Sequence, residues 1–318
     1  MKLLYRLLPF FILKQPFSLP LYFNALAPIF GFIYIFKYKK IYACYIPIFI
    51  MIICNVVVCV CTARISSIFR LLQLTLILFF SMYLIKVLKK YDIFLILKIM
   101  LIFIILVFIL EVYMGNNAGY RDFFGFYLPR YRGVIGEFNF TALLLTGIGL
   151  LFATKKIYYY SAISFLFIFL YPFLILGVDR ILDIDNKILI DDFSSLRYQL
   201  HVAYANMGFD NYGFGIGYFN GKNLILDSEY LLHLNALERM NLILEQHNLF
   251  LQVFSEFGVI GYILFCAFII YILRKAILTN HNLFIAFISL LTSCLFVNAL
   301  HELILYIYIS FILKDYDK

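Results

Sequence analysis

The stretch EQHNLFLQVFSEFGVIG, residues 245–261, joins the longest polar segment of the chain to an apolar run. His247 lies at this join, and a neutral imidazole can take a proton from a hydroxyl group near neutral pH. A single histidine in such a position is more often a helix-start residue than a catalyst. Its role therefore depends on the sequence around it.

The composition is that of a membrane protein. Of the 318 residues, 64% are hydrophobic and only 14% are charged, whereas a soluble domain is roughly 45–50% apolar and about 25% charged. The predicted fold class is therefore all-α, a polytopic helical membrane protein. The net charge of +8 does not indicate a nucleic-acid partner, because the lysines and arginines lie mainly in short turns between apolar runs, where they specify topology.

The apolar runs predict about eight or nine transmembrane helices, since a helix needs about 20 residues to cross a bilayer. The runs lie at about 19–36, 41–61, 67–88, 93–114, 134–154, 157–177, 248–273 and 283–300, with a shorter one at 303–313. The chain then divides into N-terminal helices (1–177), a long polar loop (178–246) and C-terminal helices (247–318).

The basic residues predict the orientation of these helices. They fall on alternate connections, at Lys37-Tyr38-Lys39-Lys40, Lys86 with Lys89-Lys90, Lys155-Lys156 and Arg274-Lys275. Positively charged connections stay in the cytoplasm. The long loop should therefore face away from the cytoplasm, and a loop of this length tends to be functional.

Several arginines occur on the outward side, where they have no topological use. Arg121, Arg130 and Arg132 lie in the connection 115–133, and Arg197 stands in the acidic long loop. An anionic ligand is one explanation. The alternative is that the arginines extend to lipid headgroups.

Two further features of the long loop predict local structure. Ser194 or Ser195 can cap a short interfacial helix that contains Arg197. The sequence Gly213-Phe214-Gly215-Ile216-Gly217 predicts a tight turn whose backbone approaches the membrane surface or a ligand. It does not predict dinucleotide binding, because no βαβ pattern surrounds it.

No metal or cofactor site is predicted. The six cysteines fall in apolar runs without metal-ligand spacing, which is typical of small buried hydrophobic residues. Asp183-Ile184-Asp185 resembles the paired aspartates of transferases that use nucleotide sugars, but those donors are not supplied outside the cytoplasm. We interpret this segment as part of a solvated acidic loop.

If the segment after His247 is a continuous helix of 3.6 residues per turn, Gly258 and Gly261 lie on the face of the histidine. The two glycines would then leave space there for another helix or a lipid tail. Glu256 would lie nearly opposite. An ionisable side chain at that depth needs a partner, so we interpret Glu256 as a structural residue bonded to a neighbouring helix.

Three motifs together resemble the O-antigen ligase and O-antigen polymerase superfamily of bacterial inner membranes. They are His247-Asn248-x-Phe250-Leu251 with Glu256-x-Gly258-x-x-Gly261, Arg130-x-x-Gly133-x-x-Gly136-x-x-Asn139, and Arg197 with the glycine turn 213–217. They cover roughly residues 120–275 in the order of the family.

The resemblance implies a metal-independent, inverting glycosyltransferase whose active face is periplasmic. It would move a glycan from undecaprenyl pyrophosphate to a hydroxyl of an acceptor glycan or of lipid A core. His247 would activate that hydroxyl, and Arg197 and Arg130 would bind the pyrophosphate. Other expected substrate-binding residues are Arg121, Arg132, Asn139, Gly215, Gly217 and Asn248. The expected partners are membrane lipid and polysaccharide-assembly proteins.

The sequence does not separate a polymerase from a ligase. A different class, a flippase or transporter for lipid-linked sugars, should carry ionisable residues near the bilayer centre and often an internal repeat. The candidate polar groups here gather at one membrane face, which favours the enzyme. An inactive scaffold in a polysaccharide complex is a third possibility.

Overall fold

A computed structural model of the chain describes most of the predicted helices. It covers residues 26–38, 40–62, 64–87, 120–123, 126–129, 158–183, 197–221, 248–279, 281–296 and 303–316, and single positions at 99, 102, 105, 106, 109, 110, 112–114, 187, 224, 225 and 300. The described part is α-helical apart from one two-stranded hairpin. The predicted helical class is therefore confirmed.

Nine helices are described, numbered here in chain order. They are α1 (Leu26–Tyr38), α2 (Ile46–Cys61), α3 (Ile65–Val87), α4 (Tyr158–Ile181), α5 (Arg197–Met207), α6 (Asp210–Gly213), α7 (Leu249–Thr279), α8 (His281–Ser293) and α9 (Leu303–Tyr316). Single turns of 3₁₀ helix lie at Ala43–Tyr45 and Cys294–Phe296. The antiparallel strands β1 (Tyr120–Phe123) and β2 (Phe126–Pro129) place Arg121 opposite Leu128.

By length and composition, three of the described helical stretches could cross a membrane, namely Ala43–Cys61, Ile65–Val87 and Leu249–Thr279. The last is interrupted at Gly258, so its spanning part is residues 259–279. Shorter apolar helices lie at Ala27–Tyr38, Leu283–Ser293 and Leu305–Lys314. These stretches support a membrane protein. Most of the predicted run 93–114 and all of the run 134–154 lie outside the described residues, so the count of eight or nine spans stays a prediction.

The first three helices form a bundle in which α2 runs opposite to α1 and α3. Helix α1 lies so close to α3 that a Cβ atom on Gly31 would overlap the carbonyl of Leu76. The Nζ atom of Lys86, at the end of α3, lies 5.7 Å from the ring centroid of Tyr42, which follows α1. The basic turns after α1 and α3 thus meet at one end, called here the basic end. The opposite end, with the turn 62–64, is called the loop end.

Helix α7 consists of two arms that fold back on each other at Gly258. This glycine has non-helical torsions, φ 71° and ψ −174°. The ring centroids of Phe250 and Phe265 are 6.1 Å apart, and those of Phe254 and Tyr262 are 5.4 Å apart. In a continuous helix, residues fifteen positions apart are separated by about 22 Å. The single span predicted at 248–273 is therefore wrong, and so is the continuous helix assumed after His247.

The two arms have different environments. The long arm (residues 259–279) is about 30 Å long at 1.5 Å per residue, which matches the hydrocarbon thickness of a bilayer. It exposes the large apolar side chains of Ile260, Ile263, Ile270, Tyr271, Ile277 and Leu278, as a lipid-facing helix does. The short arm (residues 249–257) is buried at every position. It is therefore an internal, re-entrant helix rather than half of a membrane span.

Contacts with α2 show how deep the short arm begins. Tyr45, just before α2, contacts Phe268 of α7. Further along, Met51 of α2 lies next to Gly261, and Asn55 bonds to Glu256, so α2 and the long arm run in opposite directions. Since Tyr45 is close to the basic end, Gly258 lies at the loop end. Asn248, ten residues earlier, then lies roughly 15 Å below it, inside the bundle.

Part of the long polar loop folds into the same bundle. The short helix predicted around Arg197 is present as α5, and its side chains at Leu200, Tyr204 and Met207 are buried. The ring of Phe209, just after α5, packs edge-on against Phe254 of the short arm, with centroids 5.3 Å apart. The described part of the loop thus covers the re-entrant helix.

Candidate functional site

The short arm begins at Asn248, which is completely buried. Its side-chain Oδ1 accepts hydrogen bonds from the backbone N–H groups of Phe250 (2.9 Å) and Leu251 (3.0 Å). Such an N-cap contributes about 1 kcal/mol in water. The cap matters more here, because an unsatisfied N–H group away from water costs more. The residue that follows His247 is therefore fixed inside the protein, while His247 itself lies outside the described residues.

The other end of the short arm is closed by the glycine turn, residues 213–217. The fold-back at Gly258 removes the helical donors for the carbonyl groups before it. The N–H of Ile216 donates to the carbonyl of Ser255, and the N–H of Gly217 donates to the carbonyl of Glu256, both at 3.0 Å. These bonds satisfy helix-end carbonyls that would otherwise be buried without donors.

Glycine is required on both sides of this contact. Gly215 has φ +77°, and a Cβ atom there would lie 2.6 Å from the carbonyl oxygen of Ser255. A Cβ atom on Gly258 would overlap the carbonyl oxygen of Gly213. L-residues rarely adopt these positive φ values. The glycine turn therefore approaches backbone of the same chain, where the sequence predicted the membrane surface or a ligand.

The expectation that Gly258 and Gly261 leave an open space is wrong. The space at Gly258 is filled by backbone of the glycine turn. A Cβ atom on Gly261 would lie 2.5 Å from Cβ of Phe257 and 3.2 Å from Cγ of Met51 in α2. Small residues here permit close packing of the chain on itself, as between membrane helices generally.

Asn55 connects α2 to the same junction. Its Nδ2 donates to the carbonyl of Glu256 at 2.7 Å, and its Oδ1 accepts from the N–H of Tyr218 at 2.8 Å. Asn55 was not among the residues predicted from the sequence. The sequence does contain an indication of its role. Asn55 is the one amide side chain in the apolar run 41–61, and polar groups in membrane helices usually bond to neighbouring helices.

A second set of polar contacts attaches α3 to the turn that follows the glycines. Arg64 Nη1 donates to the carbonyl of Ile216 at 3.1 Å. Asn220 Nδ2 donates to the same carbonyl at 3.2 Å, and Ser67 Oγ donates to Asn220 Oδ1 at 3.0 Å. These residues, too, were not predicted from the sequence. Together with the bonds of Asn55, they join α2, the start of α3, the glycine turn and the short arm at the loop end.

Helix α5, which starts at Arg197, is held against α4 by polar contacts. The hydroxyl of Tyr171 and Nδ1 of His201 share a hydrogen bond of 2.6 Å. The hydroxyl of Tyr198 donates to Asp179 Oδ1 at 2.9 Å, and Lys187 Nζ lies 3.1 Å from the same oxygen. These contacts fix the backbone at the start of α5. They also give His201 a packing role.

The structure brings some of the predicted site residues together. Gly215, Gly217, Glu256 and Gly258 meet in the junction, and Gly261 lies about one turn further along the long arm. Asn248 lies at the other end of the short arm. The backbone of Arg121 is in β1 and that of Arg197 in α5. Other predicted site residues lie outside the described part, namely His247, Arg130, Arg132 and Asn139.

Among the described residues, no group of three or more His, Cys, Asp or Glu side chains is arranged to hold a metal ion. Comparisons with protein-family models, with curated proteins and with solved structures found no match. The resemblance to the O-antigen ligase and polymerase superfamily rests on the sequence motifs alone.

Proposed function

We propose that this protein is a membrane-embedded glycosyltransferase of a bacterial inner membrane. It moves a glycan from undecaprenyl pyrophosphate to a hydroxyl of an acceptor glycan or of lipid A core, on the periplasmic side. The sequence motifs support this reaction class. The observation that carries the proposal is the re-entrant short arm, which fixes Asn248, the neighbour of His247, inside the bundle beneath α5.

The surroundings of Asn248 suit a base. The N-terminal end of a helix carries partial positive charge, which disfavours a second positive charge close by. The proposal requires His247 to react as the neutral imidazole, the form that accepts a proton. Backbone that is not helical at this depth is tolerated where it is enclosed by protein or lines a water-filled cavity.

The proposed reaction is a single displacement. The acceptor hydroxyl oxygen attacks the anomeric carbon of the donor, and its proton passes to His247. The bond between the anomeric carbon and the phosphate oxygen breaks, so that the anomeric configuration inverts and undecaprenyl pyrophosphate leaves. Arg197 and Arg130 stabilise the charge on the leaving pyrophosphate, because a planar guanidinium can donate two hydrogen bonds to a phosphate group.

The test is replacement of the two residues with assigned roles. His247→Ala and Arg197→Ala should each abolish long-chain surface glycan, while membrane fractions contain normal amounts of protein. His281→Ala is the matched control, because His281 also stands at the start of an apolar helix, α8, and should leave the glycan unchanged. Normal glycan in either His247→Ala or Arg197→Ala would contradict the mechanism.

A deletion strain separates the two forms of the enzyme. If the protein is a polymerase, gel electrophoresis of lipopolysaccharide should show core capped with one repeat unit. If it is a ligase, the gel should show bare core, with complete glycan retained on undecaprenyl pyrophosphate. The acceptor follows directly from this pattern.

A flippase for the same lipid-linked sugar is the second candidate, and the broken α7 is the observation that favours it. Transporters often bind substrates at interrupted helices inside the membrane. Loss of a transferase leaves lipid-linked glycan on the periplasmic face, where an impermeant lectin labels it in spheroplasts. Loss of a flippase leaves the glycan protected in the cytoplasm.

A further inference from the structure

Two arginines at the loop end of α3 lie on either side of the turn that follows the glycines. Arg64 Nη1 donates to the carbonyl of Ile216 at 3.1 Å. Arg70 lies with its guanidinium carbon 4.7 Å from the ring centroid of Phe219, and its Nη1 is 3.4 Å from Gln73 Oε1. These partners are all neutral. Within the part of the chain that the structure describes, neither arginine is paired with a carboxylate.

The surrounding contacts hold Arg64 in place. The carbonyl that accepts its hydrogen bond also accepts one from Asn220, and Asn220 is bonded in turn to the buried Ser67 of α3. One end of this chain of bonds is Ser67 in α3 and the other is Arg64, just before α3, so the turn cannot move away from the arginine without breaking them. One guanidinium nitrogen of Arg64 is used in this way. Among the described residues, this is the one hydrogen bond of Arg64, and a guanidinium group has further N–H groups that can donate to a ligand.

Arg70 is held by an unusual arrangement. Phe219 has a positive φ of 63°, which is strained for a residue with a side chain. Its ring stays 44% exposed, so burial does not compensate the strain, and its contact with Arg70 is a cation–π interaction. Backbone strain of this kind is found at functional sites, where it positions a group.

The position of the pair matches a membrane–water interface. On one face of α3, Ile65, Phe69 and Leu72 are exposed. Leu72 lies about 3 Å further from the loop end than Arg70 and suits contact with acyl chains. The adjoining loop exposes aromatic rings at Phe209, Tyr212, Phe214 and Phe219. Exposed aromatic side chains concentrate at the level of lipid headgroups. The guanidinium groups therefore lie where lipid phosphates are found.

We propose that Arg64 and Arg70 each bind a phosphate group of an anionic membrane lipid at the loop end. The guanidinium fork matches a phosphate group in shape and charge. The site adds to the arginines named from the sequence, and the inference does not depend on the transferase proposal. Each arginine should strengthen binding of an anionic lipid about fivefold, the effect of one basic residue near an anionic membrane surface.

The chain contains no tryptophan, so Phe219→Trp introduces a single fluorescent reporter beside Arg70, and its ring retains the cation–π contact. The full chain is placed in lipid nanodiscs at fixed ionic strength. Quenching is compared between phosphatidylglycerol and phosphatidylcholine, each brominated near the top of its acyl chains. Stronger quenching by phosphatidylglycerol is expected, and equal quenching by the two lipids would overturn the site.

Variants test whether the two arginines cause the preference for phosphatidylglycerol, measured as its stronger quenching. Arg64→Gln with Arg70→Gln should remove it, whereas Arg274→Gln, an exposed arginine near the basic end, should leave it unchanged. Arg70→Gln alone should lower it about fivefold. Among the described residues, Arg70 contacts the turn only through the ring at position 219 and makes its hydrogen bond to Gln73, so this variant disturbs the turn less than the double variant does. An unchanged preference in Arg70→Gln would overturn the proposal. Relief of quenching by aqueous inorganic phosphate would do so too, because the arginines would then bind a soluble ligand.

Discussion

Replacing Gly258 with alanine tests the fold-back of α7. The native torsions are accessible almost only to glycine, so an alanine there costs about 1–3 kcal/mol in backbone strain. The new methyl group also overlaps the carbonyl oxygen of Gly213. The glycine turn must then move, and its two hydrogen bonds to the short arm are lost at about 1 kcal/mol each. The substitution also lowers the conformational entropy of the unfolded chain, which offsets about 0.4–1 kcal/mol of this loss.

The expected net loss is about 2–4 kcal/mol of unfolding free energy, taken from these strain and hydrogen-bond values. Unfolding by SDS titration in mixed micelles, followed by circular dichroism, measures it. Gly177→Ala is the matched control, because Gly177 lies within α4 and a Cβ atom there meets nothing within 4 Å. That variant should be unchanged or more stable by about 0.5–1 kcal/mol. Equal stability of Gly258→Ala and the unmodified chain would refute the fold-back.

The remaining predictions concern the contacts around the same junction. In a chain without its native cysteines, Phe254→Cys with Tyr262→Cys should be joined by a short thiol-specific cross-linker, as detected by mass spectrometry, because the rings at these positions are in contact. A continuous helix would separate them by about 12 Å, and absence of the cross-link would count against the two-arm structure. Asn55→Leu removes the bonds to Glu256 and Tyr218 and should lower the unfolding free energy by about 1–3 kcal/mol in the same SDS titration. Val57→Leu, a lipid-facing control in α2, should change nothing, and equal effects of the two would show that the bonds of Asn55 contribute little.

The helical class and the positions of α2, α3 and α4 could be predicted because they follow from local composition. Apolar runs of bilayer length and basic turns are properties of neighbouring residues. The same holds for the helix that starts at Arg197. Each of these features can be predicted without knowing which residues pack against it.

The fold-back could not be predicted, because a glycine within an apolar run is also tolerated in a continuous helix. What sets the torsions of Gly258 is a turn some forty residues earlier and an asparagine in α2. The bond from Asn55 to Glu256 joins residues 201 positions apart. A helical projection from His247 contains none of these contacts, and it therefore placed Gly258 and Gly261 beside an open space.

The buried short arm also has a consequence for biogenesis. At about 13 Å it is too short to stop in the bilayer as a span of its own. Its surroundings come from α2, α4 and α5, made earlier, and from the long arm, which leaves the ribosome after it. The short arm can reach its final position only when the long arm has been inserted. Completion of the region around His247 is thus a late step in assembly, and a nascent chain that ends before Thr279 lacks the full wall against which the short arm packs.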